Sequence, residues 1–337
     1  AVMTAPTKRS QLLYNRLARA VCPPPTQHTR ARMRDGSLVD EAALLEGSRC
    51  ALDVLNNKFN HYKSLNREDY LLLPTLIGAA HGRPGVFVEM GAYTGEMSNT
   101  AILERCFNWT GLLIEGNPTN YGRLVRGAST GYGKRPRSQK LHSAVCEADR
   151  LNGNRTGTVR FTIAGGPVAG DLSKLSDEHQ KAWGKVNKPD KVVDVPCMPL
   201  DRIMQEHGFG DGATYLSLDV EGAEAMVLST IRPSTFKVMM VEMDSSNTGK
   251  DERVQQLIVA DGFRKTLDKC TSAGGGTTTC VIDSEVYTRS HPHVRWQPLP
   301  PRFIRPGRLG RPGVATNVTA TVLAQMLARA ARGESVY

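Results

Sequence analysis

Four short, mostly apolar runs in this chain each end in an acidic side chain. They are residues 86–88 before Glu89, 111–114 before Glu115, 213–218 before Asp219, and 237–241 before Glu242. Apolar runs of this length predict parallel strands that are buried on both faces of a sheet. Because the carboxyl ends of such strands meet at the edge where these sheets bind ligands, we expect the acids on one rim. The alternative, favoured for Glu242, is that an acid caps the helix that follows it.

Residues 86–117 combine two of these strands with a glycine turn and a helix. Gly91 and Gly95 lie in the turn, where glycine adopts backbone angles that other residues avoid. The helix is predicted over residues 96–107. Glu115 follows the turn by about 20 residues, the spacing at which an acid binds the ribose hydroxyls of a nucleoside. The segment therefore predicts the first βαβ half of a nucleoside-binding sheet.

The glycine pattern indicates which nucleoside to expect. Dinucleotide sites use G-x-G-x-x-G, whose middle glycine lets the backbone approach the pyrophosphate. Tyr93 occupies that middle position here, and no third glycine opens the helix. A nicotinamide-dependent dehydrogenase is therefore disfavoured. S-adenosylmethionine carries no phosphate, so Glu115 would bind its ribose while the turn leaves room for its methionine part.

Further strand and helix patterns alternate along the chain. Strands are predicted over 141–146, 158–163, 262–269 and 279–287, a strand running into a helix over 192–204, and helices over 11–21, 40–55, 251–261 and 318–331. Polar residues 171–191 predict a surface loop that serves as a substrate lid. These patterns predict an α/β fold with a doubly wound, mostly parallel, seven-stranded Rossmann-like sheet and an antiparallel terminal strand pair. Three regions follow: a basic arm and helix (1–55), the sheet domain (56–290), and a Pro/Arg-rich tail with a C-terminal helix (291–337).

The net charge of +10 is confined to the two ends of the chain. Residues 1–50 carry a net charge of +4 and residues 291–337 one of +6, so residues 51–290 are neutral. A neutral catalytic body argues against a nucleic-acid substrate. The basic ends instead predict docking to a protein partner or an anionic surface. No apolar stretch approaches the roughly 20 residues of a membrane-spanning helix, so no transmembrane span is expected in this chain.

The seven cysteines contain no C-x-x-C pair, which disfavours a zinc site. Cys270 and Cys280 flank a glycine-rich loop, where they either form a hairpin disulfide or remain free thiols at strand ends. The chain begins at Ala1 rather than at a methionine. We therefore expect an upstream targeting segment and a membrane-bounded organelle: the secretory lumen, a mitochondrion or a chloroplast.

Five segments occur in the order VEMGAYTGEMSNT, GLLIEGNP, LHSAVC, PLDRIM and LSLDVEGAEAMVL. In this combination the chain resembles the FkbM-type methyltransferase family over roughly residues 60–287. The resemblance implies a class I methyltransferase fold with S-adenosylmethionine as cofactor. It also implies O-methylation of a hydroxyl on a sugar, a glycan or a polyketide-like small molecule.

The resemblance also assigns roles to residues by their position. It implies contacts to the methionine part for Glu89, Gly91, Tyr93 and Gly95, to the ribose for Glu115, to the adenine edge for Asn117, Ser143 and Ala144, and to the methyl-transfer site beside the cofactor for Asp219 and Glu221. Two of these positions depart from the family pattern. Glu89 stands where Asp is commoner, and the Tyr93 side chain is bulky for a glycine turn.

Methyl transfer to a hydroxyl needs a group that accepts the hydroxyl proton. Asp219 is the first candidate for this base, Glu221 the second and His142 a further one, although a histidine at a strand end is more often structural. His179 and His207, in predicted loops, are candidates for the acceptor side. A divalent metal held by Asp219 and Glu221 would lack an identifiable third ligand, so no metal site is predicted.

A second hypothesis is a catalytically inactive scaffold that keeps the fold and uses its basic ends to join a larger assembly. The cofactor pocket distinguishes the two hypotheses. An open pocket with Gly91, Gly95, Glu115 and Asp219 in place favours the enzyme. A Tyr93 ring that fills the methionine position favours the scaffold.

Overall fold

The fold is built on one mixed β-sheet with helices on both faces. The structure, a computed structural model, describes residues 30–32, 38–56, 64, 68–127, 134–163, 170–171, 173, 192–243, 247–267, 269–270, 281–289 and 318–336. The predicted helix at 11–21, most of the predicted lid, His179 and Cys280 lie outside these residues.

The secondary structure alternates between strands and helices. The described strands are β1 (Arg30–Arg32), β2 (Leu38–Asp40), β3 (Val86–Met90), β4 (Thr110–Glu115), β5 (Ser138–His142), β6 (Ala144–Val145), β7 (Gly157–Thr162), β8 (Val192–Met198), β9 (Ala213–Leu218), β10 (Phe236–Glu242), β11 (Phe263–Leu267), β12 (Lys269–Cys270), β13 (Val281–Ile282) and β14 (Ser284–Arg289). The described α-helices are α1 (Glu41–Asn56), α2 (Glu68–Ala79), α3 (Ala101–Phe107), α4 (Pro118–Arg126), α5 (Leu200–Glu206), α6 (Glu224–Ser229), α7 (Thr248–Ala260) and α8 (Ala320–Ala331). None of these helices is long and apolar enough to cross a membrane.

The central sheet has the strand order β5–β4–β3–β9–β10–β14–β11, with the short β12 and β13 beside β14. The first five of these strands are mutually parallel. β14 runs antiparallel to β10, and β11 antiparallel to β14. This arrangement confirms the predicted mostly parallel, seven-stranded sheet with an antiparallel terminal pair. A smaller sheet, β6–β8–β7, and the β1–β2 pair complete the described strands.

Two hydrophobic cores cover the two faces of the central sheet. On one face α1, α2, α3 and α8 pack together, and every residue of α2 is buried. On the other face the core includes the smaller sheet together with α5, α6 and α7. Helices α1 and α8, which belong to the predicted arm and tail, pack against each other and against the body. The region boundaries at residues 55 and 290 stay a prediction.

One predicted helix boundary beside the ligand edge is wrong. α3 begins at Ala101 rather than at residue 96. The Asn99 N–H and the hydroxyls of Ser98 and Thr100 all donate hydrogen bonds to the Glu89 carboxylate. These bonds hold the preceding residues in turns, because the acid at the end of β3 competes with the helix for their donors.

The predicted strand over 141–146 is also divided differently. β5 spans Ser138–His142 and pairs with β4, whereas Ala144–Val145 pairs with β8 in the smaller sheet. The chain therefore leaves the central sheet at Ser143. This departure opens space at the carboxyl end of β4.

Candidate functional site

A cavity opens at the carboxyl ends of β3, β4 and β9, the edge where we expected the acids to gather. It contains about 700 Å³ of unoccupied space, part of it open to solvent. The walls include the predicted site residues Gly91, Tyr93, Glu115, Ser143, Ala144, Asp219 and Glu221, and the apolar residues Ile114, Val145, Phe161 and Met226.

The glycine turn after β3 forms the floor of this cavity. The Gly91 and Ala92 N–H groups donate to the Ile114 carbonyl, at 3.1 and 3.2 Å. Gly91 has a φ of +78°, and a Cβ on it would lie 1.8 Å from the Asp219 carbonyl oxygen. Only glycine therefore fits between the ends of β4 and β9. Tyr93, with a φ of 49°, continues the turn along the cavity wall.

Glu115 places a carboxylate at the carboxyl end of β4. Its two oxygens each accept a backbone hydrogen bond at 2.7 Å, one from the Tyr93 N–H and one from the Asn117 N–H. These bonds fix the carboxyl group against the glycine turn. Burial raises the pKa of Glu115 to about 7, and the nearby Asp219 adds to the rise, while the two backbone bonds oppose it.

The turn after β9 carries Asp219 and Glu221, and a buried acid shapes it. One oxygen of Glu224, on α6, accepts the N–H groups of Val220 and Gly222, both at 3.1 Å. Its other oxygen lies 2.9 Å from the Lys250 ammonium of α7, with both side chains buried. Sequence analysis did not assign a role to Glu224 or Lys250, although Glu224 is the last acid of the quoted DVEGAE segment.

Asp219 lines the cavity, and the carboxyl group of Glu242 on the neighbouring β10 is close enough to act on its pKa. Loss of hydration raises the pKa of Asp219 to about 6. The acids Glu224 and Glu68 raise it further, whereas the interaction with Glu242 and the Lys250 charge oppose the rise. Loss of hydration, with Asp219 as the next cause, raises the pKa of Glu242 well above its ordinary range.

Raised carboxyl pKa values predict that the protein loses stability as the pH rises. Burial raises the pKa of Asp69 to about 6 and that of Glu115 to about 7. Between about pH 4 and 7 the folded state therefore holds protons that the unfolded state has released, so the free energy of unfolding falls as pH rises. Urea unfolding at pH 5 and pH 7.5 measures this contribution. The fall in the free energy of unfolding between these two pH values should be smaller in an Asp69→Asn variant. An equal fall in the variant and the wild type would contradict the role of Asp69.

The smaller sheet supplies the wall opposite the glycine turn. Ser143, Ala144, Val145 and Phe161 line this side of the cavity. The Ser143 hydroxyl donates to the Ala144 carbonyl at 2.7 Å and to the Pro196 carbonyl at 3.2 Å. A disulfide joins the adjacent Cys146 to Cys197 and so ties the end of β6 to β8.

Asp171 is a further acid on the cavity wall, at the start of the segment predicted as a lid. It is buried and accepts hydrogen bonds from the Ser173 N–H and hydroxyl, both at 2.9 Å. It forms an isolated β-bridge with Phe161. A polar segment gives no sequence signal that distinguishes this acid from its neighbours.

A buried arginine secures the loop between β3 and α3. Arg135 is 1% exposed, and its Nε lies 2.6 Å from Glu104. Its two Nη groups donate to the hydroxyls of Ser98 and Thr100, each at 2.8 Å. Both hydroxyls also bond to Glu89, which lies 3.6 Å from the guanidinium. The loop that carries the cavity floor is therefore anchored from behind by one cation.

We expect an Arg135→Met substitution to lower the free energy of unfolding by roughly 3–5 kcal/mol, since it leaves buried carboxylates without their cation. Urea unfolding measures the change. Arg155→Met is the matched control, because Arg155 also lies 2.6 Å from a glutamate but is 72% exposed. That surface substitution should not change stability measurably. Equal losses for the two variants would contradict this account of the anchor.

Seven of the ten predicted site residues line the cavity, and Glu89, Gly95 and Asn117 do not. Glu89 binds the α3 entry loop, Gly95 donates its N–H to the Ala92 carbonyl, and the Asn117 side chain caps α4 by accepting the Thr119 N–H. Contacts of all ten residues with a cofactor stay a prediction.

Two of the predicted histidines lie among the described residues but outside the cavity lining. His142 is bonded through Nε2 to the Gly116 carbonyl at 3.0 Å and stacks on Tyr121. His207 lies 3.3 Å from the Gln139 side chain. In the part of the chain that the structure describes, no group of three or more His, Cys, Asp or Glu side chains could hold a metal ion.

The sequence of this chain matches the profile of a known protein family. The sequence profile of the methyltransferase FkbM domain matches residues 89–270, more than half of the 337 residues. The chain belongs to the FkbM methyltransferase family. Members of this family are S-adenosylmethionine-dependent methyltransferases. The matched region includes both the glycine turn and the turn at Asp219. A search among curated proteins finds no significant sequence relative.

Solved structures align with this chain at low identity. The precorrin-6y C5,15-methyltransferase of Geobacter metallireducens GS-15 aligns with a TM-score of 0.32 and 11% identity, covering 63% of this chain and 83% of that chain. The mitomycin 7-O-methyltransferase MmcR aligns with a TM-score of 0.28 and 13% identity, covering 65% of this chain and 54% of that chain. Similarities this low carry no argument about the acceptor.

Proposed function

We propose that this FkbM-family protein is an S-adenosylmethionine-dependent O-methyltransferase that acts on a hydroxyl of a sugar or another small or glycan acceptor. The observation that carries the proposal is the cavity, whose lining includes both Glu115 and Asp219. The acceptor class beyond a hydroxyl comes from the family resemblance.

The residues around the cavity fit the cofactor. Gly91 has no room for a Cβ because the backbone at Asp219 packs against it, so the ends of β3 and β9 meet closely at the floor of the cavity. Glu115 is fixed by two backbone N–H groups and retains lone pairs that can accept ribose hydroxyls. The apolar side chains of Ile114, Val145 and Phe161 suit the faces of an adenine ring. We assign the ribose to Glu115, the adenine edge to Ser143 and Ala144, and the methionine part to the turn at Gly91 and Tyr93.

Bound S-adenosylmethionine would supply a methyl group that is already electrophilic. The protein's part is then to orient the acceptor, exclude water and take up the hydroxyl proton. Asp219 is the proposed proton acceptor, because a carboxyl with a pKa of about 6 is ionised at neutral pH yet more basic than an exposed aspartate. Glu221, on the same turn, is the proposed second acid that orients the acceptor hydroxyl.

The scaffold hypothesis predicts a pocket closed by the Tyr93 ring. Tyr93 instead lies in the lining of a cavity that has space open to solvent. Gly91, Glu115 and Asp219 all border that space. The enzyme is therefore the function that the geometry supports better, and docking of the basic ends to a protein partner or an anionic surface stays a separate proposal.

The disulfides support a proposal about the compartment. Disulfides join Cys50 to Cys106 and Cys146 to Cys197. Disulfides persist in oxidising environments and are rare in reducing ones. We propose that the protein works in an oxidising, membrane-bounded compartment, with the secretory lumen as the first candidate.

The two disulfides provide a matched pair for testing the pocket wall. Without the Cys146–Cys197 bridge, β6 is held to β8 by two paired residues and by the hydrogen bonds of Ser143 and Cys146 to β8. We expect serine substitution of both cysteines to weaken S-adenosylhomocysteine binding about tenfold, roughly 1.4 kcal/mol. The same change at Cys50 and Cys106, which join α1 to α3, should leave that affinity unaltered. Each double variant should also lose roughly 2–5 kcal/mol of stability. Isothermal titration calorimetry that shows equal affinities for both variants would contradict this role of the wall.

The proposed activity is tested with S-adenosylmethionine that is tritiated on its methyl group. The protein is incubated with a panel of neutral sugars, acidic sugars and glycans, and transfer of label is followed. We expect label on at least one hydroxyl acceptor, and at least 100-fold less transfer by an Asp219→Asn variant that still binds S-adenosylhomocysteine. Undiminished transfer by this variant would refute the role of Asp219.

A further inference from the structure

Glu242 lies beside the proposed base without lining the cavity. β9 and β10 are parallel, and their register pairs Leu218 with Val241. The next residue of each strand is the acid, so Asp219 and Glu242 are neighbours at the strand ends. The interaction with Glu242 lowers the pKa of Asp219, as a hydrogen bond donated to the Asp219 carboxylate would.

Two carboxyl groups can share a hydrogen bond only when one of them carries a proton. The geometry indicates that Glu242 is the one. Its Oε2 is buried and has no hydrogen-bond partner among the described residues, which is costly for a charged oxygen. Lys250, the cation that acts on both acids, is ion-paired with the buried Glu224 at 2.9 Å.

Capping of the following helix does not explain Glu242. α7 begins at Thr248, and its N-cap is Asn247, whose side chain accepts the Lys250 N–H at 3.0 Å. The interpretation of Glu242 as a helix cap is therefore wrong. Among the described residues, the neighbouring Asp219 is the group that gives a reason for an acid at this position.

We propose that Glu242 is a positioning residue for methyl transfer: its protonated carboxyl group donates a hydrogen bond to the Asp219 carboxylate and holds it ready to accept the acceptor's proton. This rests on the proposed function of Asp219. The charged groups that act on Asp219 are Glu224, Glu68 and Lys250, and those that act on Glu242 are Glu224, Glu221 and Lys250. The Glu242 proton keeps these acids from forming a cluster of like charges.

Two substitutions at Glu242 separate its hydrogen bond from its charge. Glu242→Gln keeps a donor but cannot ionise, whereas Glu242→Met removes the donor. If Glu242 donates a proton, the Met variant should raise the pKa of Asp219 by about one unit and the Gln variant should leave it unchanged. If Glu242 is instead ionised, both substitutions remove a negative neighbour and lower that pKa.

The measurement is the carbon NMR shift of side-chain carboxyl groups in the full chain labelled with ¹³C-aspartate, followed against pH. The Asp219 signal is identified by its loss in Asp219→Asn, and the exposed Glu252→Gln serves as a charge control. A pKa raised in the Met variant and unchanged in the Gln variant supports the proposal, and any other pattern overturns it. If the Met variant does not fold, the Gln variant alone decides, since a lowered pKa there is sufficient to refute the proposal.

Binding of S-adenosylhomocysteine by the wild type and the same variants tests the proposed function, whereas the carboxyl titration tests the pair of acids. Failure of one proposal can therefore be distinguished from failure of the other. The carboxyl titration needs neither cofactor nor acceptor, so it tests the pair even if the wild-type protein binds no cofactor. Once an acceptor is found, Glu242→Met should lower kcat at least tenfold and shift the acid limb of its pH profile upward. KM should stay within about twofold, because Glu242 does not line the cavity.

Discussion

A Gly91→Ala substitution should abolish cofactor binding and strongly destabilise the protein. The new methyl group would lie 1.8 Å from the Asp219 carbonyl oxygen, at a φ of +78°. The contact is with backbone, so the ends of β3 and β9 must separate. Overpacking of this kind costs about 1–3 kcal/mol, and the left-handed backbone angle adds about 1–2 kcal/mol for a residue with a Cβ. Urea unfolding and S-adenosylhomocysteine titration measure the two effects.

Gly153→Ala isolates the contribution of the backbone angle. Gly153 has the same φ of +78°, but no atom lies within 4 Å of the place where its Cβ would be. It lies in an exposed turn before β7. We expect this variant to lose about 1 kcal/mol of stability and to bind S-adenosylhomocysteine normally. Normal binding by Gly91→Ala, or equal effects of the two substitutions, would show that the close approach at Gly91 does not define the site.

The second large effect is expected from Glu115→Gln. The amide retains the shape of the side chain but replaces one accepting oxygen with an NH₂ group that faces the Tyr93 or the Asn117 N–H. Charge-assisted hydrogen bonds contribute about 1.5–3 kcal/mol each. We expect the affinity for S-adenosylhomocysteine to fall about 100-fold, roughly 2.8 kcal/mol. Glu147→Gln, at an exposed residue near the same wall, makes the same charge change and should have no effect.

The pH dependence of binding gives the Glu115 prediction an independent test. Ribose hydroxyls donate to the ionised carboxylate, so binding lowers the Glu115 pKa from its value of about 7 in the free protein. Affinity should therefore rise with pH up to about 7 and remain level above it. The part of this rise due to Glu115 should be absent in Glu115→Gln. A wild-type affinity that falls between pH 5.5 and 7 would contradict the ribose assignment.

Local spacing was sufficient to predict the floor and one side of the site. Gly91 and Glu115 lie within a single βαβ unit, where the turn and the strand end are fixed by sequence separation. Asp219 was predictable because parallel strands bring their carboxyl ends to one edge.

The groups that support the site depend on contacts between distant parts of the chain. Arg135 reaches Glu104 and Glu89 across more than 30 residues, and no local pattern marks it as buried. The pairing of Cys146 with Cys197 depends on β6 joining the smaller sheet, which the apolar run at 141–146 concealed. Glu242 has the same local pattern as a helix cap. Its place beside Asp219 depends on the register between β9 and β10, which the sequence does not specify.

The central claim is that the cavity between Glu115 and Asp219 binds S-adenosylmethionine. Titration calorimetry of the wild-type protein with S-adenosylhomocysteine at pH 7.5, with Gly91→Ala and Gly153→Ala in parallel, tests it most directly. We predict one site per chain with a Kd on the order of 1–100 μM for the wild type and for Gly153→Ala, and no binding for Gly91→Ala. No heat of binding to the folded wild-type protein at millimolar ligand would contradict the account.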